Sequence, residues 1–235
     1  MTPLRPIAQA NGAAALREVQ IVVIAKEPLS GTVKTRLCPP LTSAEAAAVA
    51  ASSLADTLDV VVRSDCRARV VAFEGFPDGW IPSGFIVIPQ RQGGFGERLD
   101  GAIVDAWERT DRPVLLIGMD TPQVRVADLE CAAAALLSPG VDTILGPADD
   151  GGYWLIGTRQ PVPGMFAEVP MSTDRTAFFQ RQRLDSLGLS CTQIHGLRDV
   201  DTIDDAYAVA DLVPCSTFAA TLRACVNAAM ESSRV

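Results

Sequence analysis

The sequence predicts an α/β fold built on a mostly parallel sheet. Short apolar runs alternate with longer helical patterns along the chain, the first run is apolar throughout at Ile21-Val22-Val23-Ile24-Ala25, and turn-forming residues bound it. A run of that length between turn residues reads as a strand buried on both faces, as parallel strands flanked by helices are. Strands alternating with helices imply βαβ units with right-handed crossovers.

The first strand is expected over 19–25. A helix follows over 43–62, because Thr42-Ser43-Ala44-Glu45 is a capping-box pattern in front of an alanine-rich run. Short apolar runs give strands at 69–73 and 85–88, and a helix is expected over 96–109. The strand at 114–117 is stopped by Thr121-Pro122, since proline cannot donate to a ladder. A helix over 126–137 and strands at 143–145 and 153–156 come next, with a loop-rich stretch from about 145 to 171. The chain closes with a helix over 173–187, a strand at 191–194, and helices over 203–212 and 217–230. Residues 1–18 hold two prolines, Asn11-Gly12 and an alanine run, and read as a flexible N-terminal tail. Residues 19–235 then form a single domain, with no internal repeat or long linker.

Composition narrows the function. The 235 residues are 48% hydrophobic and 20% charged, which is ordinary for a globular protein. A net charge of −8 argues against nucleic acid or an anionic membrane as partner. No apolar run approaches the length of a membrane span and no signal-peptide core is present, so a cytoplasmic protein is expected. The six cysteines form no C-x-x-C pair, and the one histidine leaves no zinc-type spacing; reduced thiols are the expectation. Cys38 is close to a basic loop, but packing is its expected role, as it is for His195.

That basic loop is the most informative segment. It leaves the first strand as Lys26-Glu27-Pro28-Leu29-Ser30-Gly31-Thr32-Val33-Lys34-Thr35-Arg36-Leu37 and carries three cations around a turn at Gly31. Ligands of open α/β sheets bind outside the carboxyl ends of the strands. Lys26, Lys34 and Arg36 suit a polyphosphate there, the lysines as point charges and the arginine as a bidentate fork. A second cluster, Gln90-Arg91-Gln92-Gly93-Gly94-Phe95-Gly96, stands between a strand and a helix. Its glycines allow close backbone approach and free N–H groups at the helix start, so Gln90, Gly94 and Gly96 are expected to line the nucleotide pocket.

Three acidic sets complete the candidates. Asp120 ends a central strand on the same rim as the basic loop, as a turn residue or as a ligand for Mg²⁺ or Mn²⁺. In Asp199-Val200-Asp201-Thr202, Asp201 or Thr202 caps the next helix, and Asp204 and Asp205 complement its dipole. Only one of Asp199 and Asp201 is expected to face a given site, and a metal held between Asp120 and Asp201 accounts for the side chain that capping does not need. Asp149-Asp150-Gly151-Gly152-Tyr153 reads as a hairpin turn or as part of an acceptor site formed by Asp149, Asp150 and Tyr153.

Taken together, Ala25-Lys26-Glu27-Pro28, Gly31-Thr32-Val33-Lys34-Thr35-Arg36-Leu37, Gly118-Met119-Asp120-Thr121-Pro122, Gly146-Pro147-Ala148-Asp149-Asp150-Gly151-Gly152-Tyr153 and Asp199-Val200-Asp201-Thr202 resemble the radical-SAM/selenodomain-associated transferase family, over roughly residues 19–212. That family is a branch of the GT-A nucleotide-diphospho-sugar transferase superfamily. The resemblance implies a Rossmann-like three-layer α/β/α sandwich and transfer from an activated nucleotide. More remotely, the basic loop and the Asp-x-Asp-Thr segment are similar to those of phospholactate guanylyltransferases and molybdenum-cofactor nucleotidyltransferases. By that similarity Lys26, Lys34 and Arg36 cradle phosphates, and Asp120 and Asp201 bind metal. Gly118 departs from the Asp-x-Asp strand tip common in GT-A glycosyltransferases.

Three functions are weighed. Metal-assisted nucleotidyl transfer from an NTP to a small phosphorylated metabolite, releasing pyrophosphate, is favoured because three cations suit a pyrophosphate leaving group. Glycosyl transfer from an NDP-sugar is the alternative, and a non-catalytic nucleotide-binding regulator is the third. Lys34→Ala and Arg36→Ala are both expected to weaken nucleotide binding and leave the fold intact.

Overall fold

The computed structural model describes residues 12–232, with side chains described through residue 228. Seven strands form one sheet: β1 (Gln20–Lys26), β2 (Ala68–Glu74), β3 (Ile86–Pro89), β4 (Val114–Gly118), β5 (Thr143–Pro147), β6 (Tyr153–Thr158) and β7 (Cys191–Gln193). The helices are α1 (Gly12–Leu16), α2 (Ser43–Arg63), α3 (Phe95–Thr110), α4 (Val126–Leu136), α5 (Thr176–Ser186), α6 (Ile203–Leu212) and α7 (Thr217–Ser232). Strand order is β3-β2-β1-β4-β6-β5-β7. β1 pairs in parallel with both β2 and β4, and β6 alone runs antiparallel, to β4 and β5. The order reverses between β1 and β4, so the crevice outside their carboxyl ends is the topological switch point at which ligands bind in such sheets.

The unbroken apolar run of β1 is explained by helices on both faces. Ile21 and Val23 point into one core with Leu54, Leu58 and Leu129, while Val22 and Ile24 point into the other with Leu99, Ile103 and Leu184. Successive side chains alternate across a strand, so a two-sided burial needs no polar positions. The capping box on α2 forms as its sequence dictates. Thr42 Oγ1 accepts from Glu45 N at 3.3 Å, and the Glu45 carboxylate accepts from Thr42 N at 2.7 Å.

A third, smaller core matters most for the site. It joins Leu37 and Val49 to Val200, Val209 and Phe218, with Leu37 and Phe218 fully buried and Val200 nearly so. Leu37 ends the basic loop and Val200 sits in the late acidic segment, so one apolar cluster ties these two distant stretches together.

One difference from the sequence reading stands out. Residues 12–16, assigned to the tail, form α1, with Leu16 fully buried and Gly12 so close to α4 that a Cβ would lie 2.9 Å from Glu130 Cβ. Arg17 and Glu18, also assigned to the tail, pair with Asp65 and Arg112, and residues 1–11 lie outside the described residues. As the hairpin reading of the sequence expects, Asp149–Gly152 lies in the turn of an antiparallel β5–β6 hairpin, which gives the sheet its one reversed strand. All six cysteines are free, and among the described residues no helix is long and apolar enough to cross a membrane.

Candidate functional site

The loop after β1 is held by its own backbone. Thr32 N and Thr32 Oγ1 donate to Leu29 O at 3.1 and 2.9 Å, and Gly31 takes φ +79°, a conformation side chains rarely adopt. Lys26 Nζ donates to Thr32 O at 2.9 Å. Lys34 has φ 48°, unusual for a side chain of its size, and opens a 3₁₀ turn that drives Leu37 into the third core. Such strained positions cluster at functional sites.

Opposite stands the tip of β4. Ser53 Oγ, buried on α2, donates to Met119 O at 2.7 Å and fixes the strand end. The next residue, Asp120, accepts a bond on its carbonyl from Val200 N at 3.1 Å. The late acidic segment is thus stitched to the strand tip by backbone.

These pieces converge on Lys34. Its Nζ lies 3.0 Å from Asp120 Oδ1 and 3.8 Å from Asp201 Oδ1, donates to Val200 O, and the side chain is 8% exposed. Burial pulls the ammonium pKa down, but Asp120, Asp199 and Asp201 more than offset this and hold it above the ordinary lysine value. Arg36, mostly exposed, pairs with Asp201 from the solvent side. Asp199 is the least compensated member. Burial, then Asp120, push its carboxyl well above the usual range, Asp150 and Asp201 adding to this against the pull of Lys34.

Thr202 caps α6 through a reciprocal bond with Asp205, which releases Asp201 for the site. The expectation that only one of Asp199 and Asp201 faces a given site is corrected: both line the same cavity. In an extended segment residues two apart share a face, and Val200 between them turns into the core.

Three adjoining cavities run along this rim. One of about 250 Å³ lies over the basic loop and is lined by Lys26, Lys34 and Arg36. One of about 370 Å³ lies over the tips of β1–β3, with Gln90, Phe95 and Arg98. One of about 490 Å³ lies over β4 and β6, with Asp150, Tyr153, Asp199 and Asp201. Asp120 lines all three.

The remaining sequence candidates are placed as follows. Gln90 donates to Ala25 O and Ala72 O at 2.7 and 3.1 Å, bracing β1 and β2, and accepts from Arg98 at 3.1 Å. Gly94 N–H is taken by Glu97 at 2.7 Å rather than left free, because Glu97 closes the helix start. Gly96 packs against the segment after β6, where a Cβ would lie 3.1 Å from Phe166 O. Asp149 pairs with Arg198 at 3.3 Å. Tyr153 hydroxyl is 3.4 Å from Gln180 Oε1, and burial raises its pKa. His195 Nε2 is 3.2 Å from Asp128 Oδ1 and its ring packs on Trp154, in keeping with a packing role.

Two residues enter that the sequence did not single out. Thr121 is fully buried, and among the described residues its Oγ1 has no hydrogen-bond partner. Asp174 lines the largest of the three rim cavities from a loop that docks on Gly151. A hydroxyl directly after Asp120 was a usable signal; the docking of the Asp174 loop was not.

Among the described residues no three acidic, cysteine or histidine side chains are arranged as a ready-made metal cluster. The donors present are carboxylate oxygens, Asp120 and Asp201, with the weakly compensated Asp199 beside them. Such a set suits a hard dication that takes its remaining ligands from phosphate and water.

The profile of a family described as "Uncharacterized protein conserved in bacteria (DUF2064)" matches residues 47–173, more than half of the chain. Among solved structures, a protein of Desulfovibrio desulfuricans G20, provisionally named a nucleotide-diphospho-sugar transferase, is 25% identical with a TM-score of 0.81, covering 92% of this chain and 97% of that one. 4-Diphosphocytidyl-2C-methyl-D-erythritol synthase of Anaerococcus prevotii is 13% identical with a TM-score of 0.55, covering 85% and 99%. 2-C-methyl-D-erythritol 4-phosphate cytidylyltransferase of Thermus thermophilus is 15% identical with a TM-score of 0.51, covering 84% and 99%. At those identities the last two share the fold. No curated protein matches the sequence.

Proposed function

The chain belongs to this family, DUF2064, and we propose that it is a nucleotide-dependent transferase that moves a nucleotidyl group from an NTP to a small acceptor and releases pyrophosphate. One observation carries the reading: Asp120 stands where the three rim cavities meet, with Lys26, Lys34 and Arg36 on one side. The motif set supports the radical-SAM/selenodomain-associated branch of the GT-A superfamily.

In this reading the three cations bind the leaving β- and γ-phosphates, Arg36 as the exposed fork and Lys34 as a fixed charge in the floor. Lys34 also holds Asp120 and Asp201 in place. Those two carboxylates would hold Mg²⁺ or Mn²⁺, which neutralises charge at the α-phosphate when bound. Phosphoryl chemistry of this kind asks the protein for position and electrostatics rather than covalent help. The nucleobase falls to the cavity with Phe95 exposed beside Gln90 and Arg98.

Glycosyl transfer from an NDP-sugar is the second reading, favoured by the name of the 25% identical structure. Incubation with each NTP, Mg²⁺ and a panel of small acceptors separates the two. Pyrophosphate above the no-enzyme level supports nucleotidyl transfer. In a parallel incubation with NDP-sugars, sugar release accompanied by no pyrophosphate from any NTP replaces it with the second reading. Stabilisation by nucleotide with no turnover of either kind points to a nucleotide-binding regulator.

A further inference from the structure

The cavity over β4 and β6 differs in charge from the one over the basic loop. Five carboxylates line it, those of Asp120, Asp150, Asp174, Asp199 and Asp201, against one cation, Arg36, which is itself paired with Asp201. Leu99, Leu116, Trp154 and Met171 supply an apolar wall. A second feature is independent of the charges. Thr121 lines this cavity fully buried, with its Oγ1 unpartnered among the described residues. Buried hydroxyls nearly always have a partner, and the described residues do not supply one here.

We propose that this cavity takes the acceptor, and that the acceptor is a hydroxyl compound without phosphate, neutral or cationic, of the polyol or amino-sugar type. The inference rests on the donor reading above and names its substrate class. A phosphate monoester carries nearly two negative charges at neutral pH. Here it would meet Asp150, Asp174 and Asp199 with no unpaired cation on the wall. Hydroxyls donate well to carboxylates, an ammonium pairs with them, and the apolar wall covers the C–H face of a small ring. The expected phosphorylated acceptor gives way to this class on the charge of the wall.

The step balances simply. The acceptor oxygen bonds to the α-phosphorus, and the bond from that phosphorus to the bridging oxygen breaks. Pyrophosphate leaves with the electron pair, and the hydroxyl proton passes to solvent. Asp150 and Asp174 lie outside the phosphate-side set and serve as the discriminating residues.

The test compares glycerol, glucose and glucosamine with glycerol 3-phosphate, glucose 6-phosphate and glucosamine 6-phosphate, in the presence of all four NTPs and Mg²⁺. Pyrophosphate release is expected at least tenfold faster with the unphosphorylated set. In an Asp150→Asn, Asp174→Asn double variant that preference is expected to shrink several-fold. Release equal or faster with the phosphate esters overturns the acceptor class and leaves the donor reading standing. Release with neither set, in a protein whose melting point nucleotide raises, also overturns the acceptor class. No stabilisation by any nucleotide overturns the donor reading itself.

Discussion

Lys34 Nζ lies 3.0 Å from Asp120 Oδ1, an ammonium from the loop after β1 facing the carboxylate at the tip of β4. The contact spans the switch point of the sheet and joins the basic loop to the acidic side of the site. It also changes what each cation is expected to do.

Lys34→Ala removes a nearly buried charge and leaves Asp120, Asp199 and Asp201 facing one another. Losing one partner of a buried pair is costly. Because Asp120 is itself 35% exposed, the loss of stability is expected at the lower end of the range for a buried pair, about 3 kcal/mol. The sequence-based expectation of an intact fold is thereby revised for Lys34 and kept for Arg36, whose side chain is 71% exposed. Arg36→Ala is expected to stay within about 0.5 kcal/mol of wild type while weakening nucleotide binding. Urea unfolding of the two variants in parallel checks the contrast.

Gly151→Ala is expected to disrupt the wall of the cavity over β4 and β6. Gly151 has φ +87°, and a Cβ there would lie 1.9 Å from Asp174 O. No rotamer relieves that contact, so the β5–β6 loop must separate from the Asp174 loop. A drop in melting temperature with loss of acceptor-dependent turnover is the expected result, read by thermal unfolding and a pyrophosphate assay.

β7 precedes the acidic segment and is secured to β5 partly by Asp142, which accepts from Ser190 Oγ at 2.7 Å and from Ser190 N at 2.9 Å. The side-chain bond, then the backbone one, holds the Asp142 carboxyl below the usual range. A lowered carboxylate pKa stabilises the fold above the unfolded value and stops doing so as pH falls through the folded one. Ser190→Ala is therefore expected to lower the melting temperature at pH 7, with the gap to wild type narrowing below about pH 4 to the part set by the uncharged bonds to Gly140 O and Asp142 N. Thermal unfolding of both proteins from pH 3 to 7 measures this.

Most of the fold was legible because its signals are local. Each of the seven strands falls within a few residues of an apolar run, the capping box at Thr42 sets the start of α2, and of the two caps read for α6, Asp201 or Thr202, Thr202 is the one that forms. The antiparallel direction of β6 was readable only from the turn at Asp149–Gly152, since periodicity itself carries no strand direction. α1 was hidden because Gly12 serves close approach to α4, a tertiary reason that resembles a tail in sequence. In the site, Lys34, Asp120 and Asp201 were individually readable as chemistry. Their convergence depends on Leu37 and Val200 meeting in one small core, a contact more than 160 positions apart that no local pattern encodes.

The most direct test of the account is pyrophosphate release from NTP and Mg²⁺ by Asp120→Asn beside wild type, with glucosamine and glycerol as acceptors and circular dichroism to verify the fold. Asp120 is assigned to the junction of phosphate, metal and acceptor, and the loss of such a group is expected to lower kcat by about 100-fold or more. That loss in a folded variant is the predicted result. Release by folded Asp120→Asn at the wild-type rate contradicts it.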